Sequence, residues 1–282
     1  MNQEMNYGRD FKYMPATSIN SGRGFDVLPD LYQHTLQIVN IVFYGNPDAT
    51  TEFVLIDAGM PKSAQDIISI AEKKFGLNSK PKAIILTHGH FDHVGAIVEL
   101  IEHWNVPVYA HPLELPYVTG QQNYPRPDPS VNGGFIAKMS GFFPHEAIHL
   151  GNHVQPLPAN GTVPHMAGFR WIHTPGHTPG HVSLFRDQDR ALIAGDAFVT
   201  VKQESLFNVL MQKKEMSGPP RYFTTDWLAA KESVKKLASL KPSVAITGHG
   251  VPMKNEELTN CLHDLANRFE QLALPKQGKY LN

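Results

Sequence analysis

The sequence has little cysteine, no excess of charge of either sign and no long apolar run. Its single cysteine, Cys261, excludes an internal disulfide bond and fits a reducing compartment. A formal net charge of −1 without a basic cluster argues against a nucleic-acid-binding surface. Residues 1–10 lack the apolar core of a secretory signal, and no apolar run approaches membrane-spanning length. We therefore expect a cytoplasmic protein without a nucleic-acid or membrane partner.

The chain is long enough to bury one large core. Its 282 residues are 41% apolar, and we expect a single domain over residues 1–282. Two segments, at about residues 112–168 and 199–224, mix proline, glycine and aromatic residues without a clear period. Such segments are typical of functional lids or of poorly ordered chain. We expect two lid-like insertions, and the sequence alone does not decide whether they cover a site.

Short apolar strands and amphipathic helices account for most of the remaining chain, which favours an α/β fold. Residues 1–35 show neither period, and we expect an irregular lead-in there. The predicted strands cover residues 36–44, 52–56, 83–86, 106–110, 169–172, 182–185, 191–194 and 243–247. The predicted helices cover residues 61–75, 94–101, 227–237 and 256–269.

The densest group of metal-ligand-type residues is a His-x-His-x-Asp-His motif between a predicted strand and a predicted helix. Three imidazoles and one carboxylate are costly to bury at the end of a strand unless a cation compensates for them. A histidine-rich surface loop is the alternative, but chance commonly produces a single His-x-His pair rather than this denser set. The spacing therefore predicts a metal site formed by His88, His90, Asp92 and His93.

Four further ligand-type residues follow the ends of predicted strands or lie in the turn between two of them: Asp57, His177, Asp196 and His249. Strand ends along one edge of an α/β sheet share a crevice, so residues that are distant in sequence can meet there. An Asp, the dense motif, and then a later His, Asp and His occur in this order within residues 36–271. This ordered set resembles the motifs of the metallo-β-lactamase superfamily.

The resemblance implies a four-layer αβ/βα sandwich, in which two mixed β-sheets lie face to face with helices outside and a dinuclear metal site lies along one edge. It implies seven ligands for two divalent ions: His88, His90 and His177 for the first, Asp92, His93 and His249 for the second, and Asp196 as a bridge. Asp57 would hydrogen-bond a ligand histidine and fix its tautomer. Imidazole suits zinc and also iron or manganese, so we expect zinc, with the other two metals as alternatives.

The implied reaction is the hydrolysis of a small ester, thioester or lactone by a hydroxide that bridges the two metal ions. Two cations that flank a water lower its pKa from ~15.7 toward neutrality. Asp92 would also act in catalysis by passing a proton to the leaving group. An iron-dependent persulfide dioxygenase, a phosphodiesterase and a non-catalytic metal-binding module are the alternatives. The last is disfavoured because degenerate members of the family lose ligands, and none is missing here.

Departures from individual branches of the family narrow the function further. True β-lactamases usually lack a bridging aspartate, whereas this chain has Asp196. Acyl-homoserine lactonases carry a tyrosine three residues later, where this chain has Val199. The 32 residues after Gly250 are too few for the glutathione-binding helical domain of glyoxalase II. We therefore expect a stand-alone hydrolase of a small molecule. The sequence does not specify its substrate, its native metal or its oligomeric state, and a homodimer is compatible with it.

The other histidines receive no metal role. His181 lies close to His177 but opens a predicted strand, and we expect a packed, hydrogen-bonded structural residue there. His111 follows a strand end and could border a pocket, although a structural use is the better interpretation. The remaining histidines are expected to be solvated or locally hydrogen-bonded: His34, His103, His145, His149, His153, His165 and His263.

Overall fold

The computed structural model describes residues 4–281, so the first three residues of the polar amino-terminal stretch lie outside the description. The chain divides into two compact units. The first unit comprises the residues up to 16 together with 21–124 and 144–167, and the second comprises 17–20, 125–143 and the residues from 168 onward. No helix among residues 4–281 is long and apolar enough to cross a membrane. The expectation of a single domain stays a prediction.

The first unit contains a seven-stranded mixed sheet with its strands in sequence order. The strands are β1 (Gly24–Leu28), β2 (Leu31–Leu36), β3 (Val39–Tyr44), β4 (Val54–Ile56), β5 (Ile84–Ile85), β6 (Val108–Ala110) and β7 (Val154–Pro156). Its helices are α1 (Ala64–Phe75), α2 (Ile97–Trp104) and α3 (Leu115–Val118). Strands β1 to β4 pair antiparallel, and β4 to β7 pair parallel.

The parallel strands of this sheet are joined by crossover helices. α1 connects β4 to β5, and α2 connects β5 to β6, as parallel neighbours require. One face of α1 is apolar and carries the buried residues Ile67, Ala71 and Phe75. Because parallel strands end at the same edge of a sheet, the residues that follow β4 and β5 are brought together.

The second unit contains a five-stranded mixed sheet in the order β12-β11-β10-β9-β8. The strands are β8 (Phe169–His173), β9 (Val182–Arg186), β10 (Ala191–Gly195), β11 (Val244–Thr247) and β12 (Met253–Lys254). The helices are α4 (Phe135–Met139), α5 (Leu206–Met211), α6 (Trp227–Ser239), α7 (Asn255–Asn267) and α8 (Phe269–Leu272). Among these strands, only β10 and β11 pair parallel, and their sheet packs with α6 and α7 into one hydrophobic core.

The predicted strand over residues 36–44 is wrong at its start. A two-residue turn at Gln37 and Ile38 separates β2 from β3, which pair antiparallel with Leu36 opposite Val39. Gln37 has a φ of +56°, a left-handed conformation that a sequence pattern assigns to Gly or Asn. Its side-chain amide donates to the Met14 carbonyl at 2.8 Å, which helps to hold the turn. The predicted irregular lead-in is wrong over its last part, because residues 24–28 and most of β2 are extended, whereas residues 4–23 form no helix or strand.

The two predicted insertions contain short elements rather than long ones. Residues 112–168 include α3, α4, β7 and two single turns of 3-10 helix, at Ser140–Phe142 and Gly151–His153. Residues 199–224 include only α5. The role of these segments as a lid stays a prediction.

Candidate metal centre

The loop that carries the His-x-His-x-Asp-His motif is fixed to the chain that follows β4. The backbone N–H of Ala58 donates to the His93 carbonyl at 2.6 Å. In return, the N–H groups of Gly95 and Ala96 donate to the carbonyls of Gly59 and Ala58, at 2.7 and 3.1 Å. Because these backbone groups bond to the chain after β4, α2 begins at Ile97 and not at residue 94, where the sequence pattern predicts its start. The same hydrogen bonds hold the four ligand-type side chains in one continuous turn.

Asp57 supports this turn from the end of β4. Its backbone has a φ of +61°, a conformation that aspartate tolerates better than most residues. One carboxylate oxygen accepts the Thr87 backbone N–H at 2.8 Å. The other accepts the Thr87 hydroxyl at 2.8 Å and lies 2.9 Å from His93 Nδ1. Because Nδ1 of His93 faces a carboxylate, a metal bond from this ring would use Nε2. This contact is the one expected for Asp57.

The four ligand-type side chains of the loop are buried side by side. Their exposed fractions run from 0 to 7%. The ring of His88 lies 4.8 Å from that of His90 and 4.2 Å from that of His93, measured between centroids. Ligand atoms of Asp92 and His93 lie within 4.8 Å of each other. Burying this many polar groups together is costly in the absence of a cation, so the packing fits a metal site.

Gly89 sits between two of the ligands, and its role differs from the one that its type suggests. A glycine in a loop commonly lets the backbone turn through a left-handed conformation, yet the φ of Gly89 is not in that region. A Cβ at this position would lie 2.7 Å from the Tyr124 hydroxyl oxygen and 2.8 Å from Val118 Cγ1. Glycine is therefore required by close packing. Burial and the neighbouring Glu114 raise the pKa of Tyr124 well above its usual value, so Tyr124 stays a neutral phenol.

The second unit carries the other three predicted ligands. Asp196 follows β10, His249 follows β11, and His177 lies in the turn between β8 and β9. Oδ2 of Asp196 lies 3.6 Å from Nε2 of His177 and 3.3 Å from Nε2 of His249. The exposed fractions of all three residues are 2 or 3%. Parallel pairing of β10 with β11 explains why Asp196 and His249 meet.

Hydrogen bonds set the ring orientations of His177 and His181 differently. The Thr224 hydroxyl donates to the Pro220 carbonyl at 2.8 Å and lies 3.3 Å from His177 Nδ1, so it accepts from that nitrogen. His177 therefore directs Nε2 toward Asp196. In His181, Nε2 accepts the Asp196 backbone N–H at 2.9 Å and Nδ1 lies 2.9 Å from the Thr174 hydroxyl. Both nitrogens of His181 are engaged, which favours the structural role predicted for it.

The chemistry of the two donor sets suits divalent metal ions. Each set combines buried imidazole nitrogens with carboxylate oxygens, the donors that zinc, iron and manganese accept. The structure brings together His88, His90, Asp92 and His93 with Asp57 in the first unit. It brings together His177, Asp196 and His249 in the second.

Sequence reasoning missed the residues that support the ligands. Thr87 and Thr224 hold ligand-bearing segments through side-chain hydrogen bonds. Glu114 and Tyr124 both contact the peptide of Gly89. Thr87 immediately precedes the motif and could have been suspected, but the other three lie outside any motif and carry no local signal.

Comparisons with known proteins identify the family. A model of the metallo-β-lactamase superfamily matches residues 34–249. YflN, a probable metallo-hydrolase of Bacillus subtilis (strain 168), is 52% identical over 260 residues, which cover 92% of this chain and 98% of the relative. A hydroxyacylglutathione hydrolase of Erwinia tasmaniensis is 31% identical over 140 residues, which cover 49% of this chain and 40% of the relative. The solved structure of MEM-A1, a subclass B3 metallo-β-lactamase from a soil metagenome library, matches with a TM-score of 0.56 and 22% identity, over 89% of this chain and 86% of that one.

The chain belongs to the metallo-β-lactamase superfamily, because the family model spans well over half of it. The match to MEM-A1 shows that the fold is shared, which confirms the predicted fold class of two mixed sheets with flanking helices. Membership of this largely hydrolytic family, together with the high identity to a probable metallo-hydrolase, makes the chain a metal-dependent hydrolase.

Proposed function

We propose that the two groups of ligands together hold two divalent metal ions and that the enzyme hydrolyses a small ester, thioester or lactone. His88, His90 and His177 would hold the first ion, and Asp92, His93 and His249 the second. Asp196 would contact both ions. Zinc is the proposed native metal, because imidazole-rich sites with carboxylates suit it.

One observation carries this proposal: four ligand-type side chains lie buried in one short loop, and the ring of one is oriented by a buried carboxylate. The contact between Asp57 and His93 Nδ1, at 2.9 Å, is the arrangement that orients metal-bound histidines in other proteins. A loop of histidines that served only as solvated surface would not be buried to this degree. The buried His177, Asp196 and His249 add three donors of the same types.

The proposed roles of the side chains follow from their chemistry. When bound, two divalent ions supply a nucleophilic hydroxide at neutral pH and polarise the carbonyl of the substrate. Asp92 would take the remaining proton of the hydroxide once its oxygen has bonded to the carbonyl carbon, and would pass it to the oxygen or sulfur of the leaving group as the bond to that atom breaks. Asp57 holds the ring of His93, and Thr224 holds the ring of His177. Together they keep the ligand nitrogens aimed before substrate arrives.

An ester, thioester or lactone is favoured over a β-lactam as the substrate. Asp196 is the proposed bridging ligand, and true β-lactamases usually lack an aspartate at this position of the motif. The hydroxyacylglutathione hydrolase relative is named for an acylglutathione, which is a thioester. We also propose that the lid-like insertions select the substrate, since they expose the apolar side chains of Phe142, Phe207 and Met211. A partly apolar acyl group is the proposed ligand of these side chains.

We further propose that the substrate is a small molecule in the cytoplasm. The single cysteine, Cys261, fits the reducing environment there. The near-neutral net charge fits a protein that binds neither nucleic acid nor membrane.

The test is elemental analysis of native protein followed by a substrate panel. Thioesters, esters and lactones are to be compared with phosphodiesters and β-lactams at equal metal loading. The expected result is turnover of at least one acyl substrate, with no comparable turnover of the other two classes. Turnover of phosphodiesters alone would assign the chain to that alternative. Iron as the native metal, with oxygen uptake in the presence of a persulfide, would assign it to the dioxygenase alternative.

A further inference from the structure

The peptide between His88 and His90 is held by two buried side chains that no motif includes. The backbone N–H of Gly89 lies 3.1 Å from Oε2 of Glu114 and 3.0 Å from the hydroxyl oxygen of Tyr124. The Tyr124 hydroxyl in turn donates to the same Glu114 oxygen. The exposed fractions of Glu114 and Tyr124 are 0 and 5%, so water does not replace either acceptor.

Packing leaves this arrangement little freedom to shift. The ring of Tyr124 lies 4.6 Å from that of His90 and stacks on the ring of Tyr117 at 4.1 Å, between centroids. The 2.7 Å approach of the Tyr124 hydroxyl to the position of a Cβ on Gly89 shows how tightly the peptide is enclosed. Asp57 thus supports the loop at Thr87 and at His93, and Glu114 and Tyr124 support the Gly89 peptide between His88 and His90.

We propose that Glu114 and Tyr124 are positioning residues that fix His88 and His90 for the first metal ion. This inference rests on the proposed function, which assigns these two histidines to that ion. Neither residue is proposed as a ligand or as a group that touches the substrate. They act through the Gly89 peptide, whose orientation sets the directions of the side chains before and after it.

This role differs from ordinary core packing in what it predicts. Loss of a packing residue lowers the stability of the fold and affects both ions alike. Loss of the Gly89 acceptors leaves Thr87 and His93 held by Asp57 but releases the peptide between His88 and His90. The affinity for the first ion should therefore fall more than the affinity for the second. Removal of such supporting hydrogen bonds typically costs about 10–100-fold in metal affinity.

The test uses metal-free protein and four variants. Tyr124→Phe removes one acceptor while keeping the ring, and Glu114→Ala removes the other. Glu114→Gln keeps an oxygen that can accept the Gly89 N–H. Tyr117→Phe is the matched control, because it removes a neighbouring tyrosine hydroxyl that makes no contact with Gly89. Stepwise zinc affinities are measured by competition with a chromophoric chelator, and the visible absorption of the cobalt-loaded protein reports the geometry of the ligands.

We expect Tyr124→Phe to weaken zinc binding at the site of His88 and His90 by about tenfold, and Glu114→Ala to weaken it somewhat more. The absorption spectrum of the cobalt-loaded protein should change in both variants. Glu114→Gln should recover most of the affinity, and Tyr117→Phe should behave as wild type. If Tyr124→Phe and Glu114→Ala bind both ions as wild type does, the positioning role is overturned and the proposed function stands. Equal loss for both ions with a lowered Tm also overturns it, since that is the result of a packing role.

Failure of the proposed function gives a different result. Wild-type protein that binds fewer than two zinc ions contradicts the dinuclear assignment. The positioning role of Glu114 and Tyr124 is then tested by the affinity for the single bound ion. Unchanged affinity for that ion in Tyr124→Phe and Glu114→Ala overturns the inference, and a selective loss that Glu114→Gln reverses supports it.

Discussion

The two groups of ligands are built by different means. In the first unit, four ligand-type residues come from one short loop that is fixed by backbone hydrogen bonds to the chain after β4. In the second unit, His177, Asp196 and His249 come from three separate segments, two of which follow the parallel strands β10 and β11. A local segment can therefore specify the first group, whereas the second exists only once its sheet has formed.

The supports of the two groups also differ in charge. His93 in the first unit faces the buried carboxylate of Asp57 at 2.9 Å. His177 in the second faces the neutral hydroxyl of Thr224 at 3.3 Å. Hydrogen bonds to charged partners are shorter and about twice as strong as neutral ones. The first group should accordingly depend more on its support than the second.

Removal of one ligand from either group should have the largest effect. His88→Ala and Asp196→Ala should each reduce turnover by more than about a thousandfold. The reason is that a bound ion stabilises the charge of the transition state by several kcal/mol. Both variants should stay folded and bind less metal. The control is His263→Ala, which removes an exposed histidine on α7. Full activity in either ligand variant would show that one group of ligands is dispensable, which would contradict a site built from both groups.

Weakening the two supports should separate the groups. Asp57→Asn suits the left-handed backbone at this position and should lower zinc affinity by about 10–100-fold. Thr224→Val keeps the shape of the side chain and should cost less than about tenfold, because it removes a longer, neutral hydrogen bond. Competition with a chelator measures both. Equal losses would contradict the view that charge makes the first support stronger.

Acid should weaken the first unit through His34 on β2. Burial lowers the pKa of His34 to about 4, from an ordinary value of 6.5. Between these values the unfolded chain binds a proton that the folded chain does not, so the free energy of unfolding falls as the pH falls through this window. His34→Gln should reduce that fall by about 1–2 kcal/mol. Urea unfolding of metal-free protein at pH 7.5 and 4.5 measures it.

Hydrogen exchange locates the same effect. The acid-dependent difference between wild type and His34→Gln should appear in β2 and β3 and should be absent from β10 and β11. An identical pH dependence in the two proteins would show that His34 is protonated without cost.

The smallest effect concerns a helix of the second unit that does not carry ligands. Oδ1 of Asp226 accepts the Ala229 N–H at 2.9 Å and caps α6. Asp226→Ala should cost about 1 kcal/mol of stability, and Asp226→Ser should recover most of it. Neither change should alter zinc affinity. A change in affinity would indicate that the second group depends on α6 as well as on its sheet.

The ligands of the first unit could be predicted from the sequence more directly than those of the second. The ligands of the first unit share one motif, so their proximity could be predicted without a structure. His177, Asp196 and His249 required the resemblance to a family, because spacing along the chain does not show which strands are neighbours. Thr224 and Glu114 could not be predicted at all, since a buried threonine or glutamate becomes a support only through tertiary contacts.

Local backbone conformation also limited how accurately the strands could be predicted from the sequence. The apolar run over residues 36–44 hides a turn, because Gln37 adopts a left-handed backbone that its residue type does not indicate. Strand β1 was missed because it lies at the sheet edge and buries only Val27 fully, so it carries no apolar run. By contrast, α6 and α7 were predicted within a few residues, since each has a full apolar face over 13 residues.

The number of metal ions per chain tests the central claim most directly. Metal-free protein is titrated with zinc, dialysed and analysed for bound metal, alongside His249→Ala. We predict two ions per wild-type chain and one in the variant, because His249 is proposed as a ligand of the second ion only. Wild-type protein that retains no metal after zinc, iron and manganese have each been offered would contradict the account.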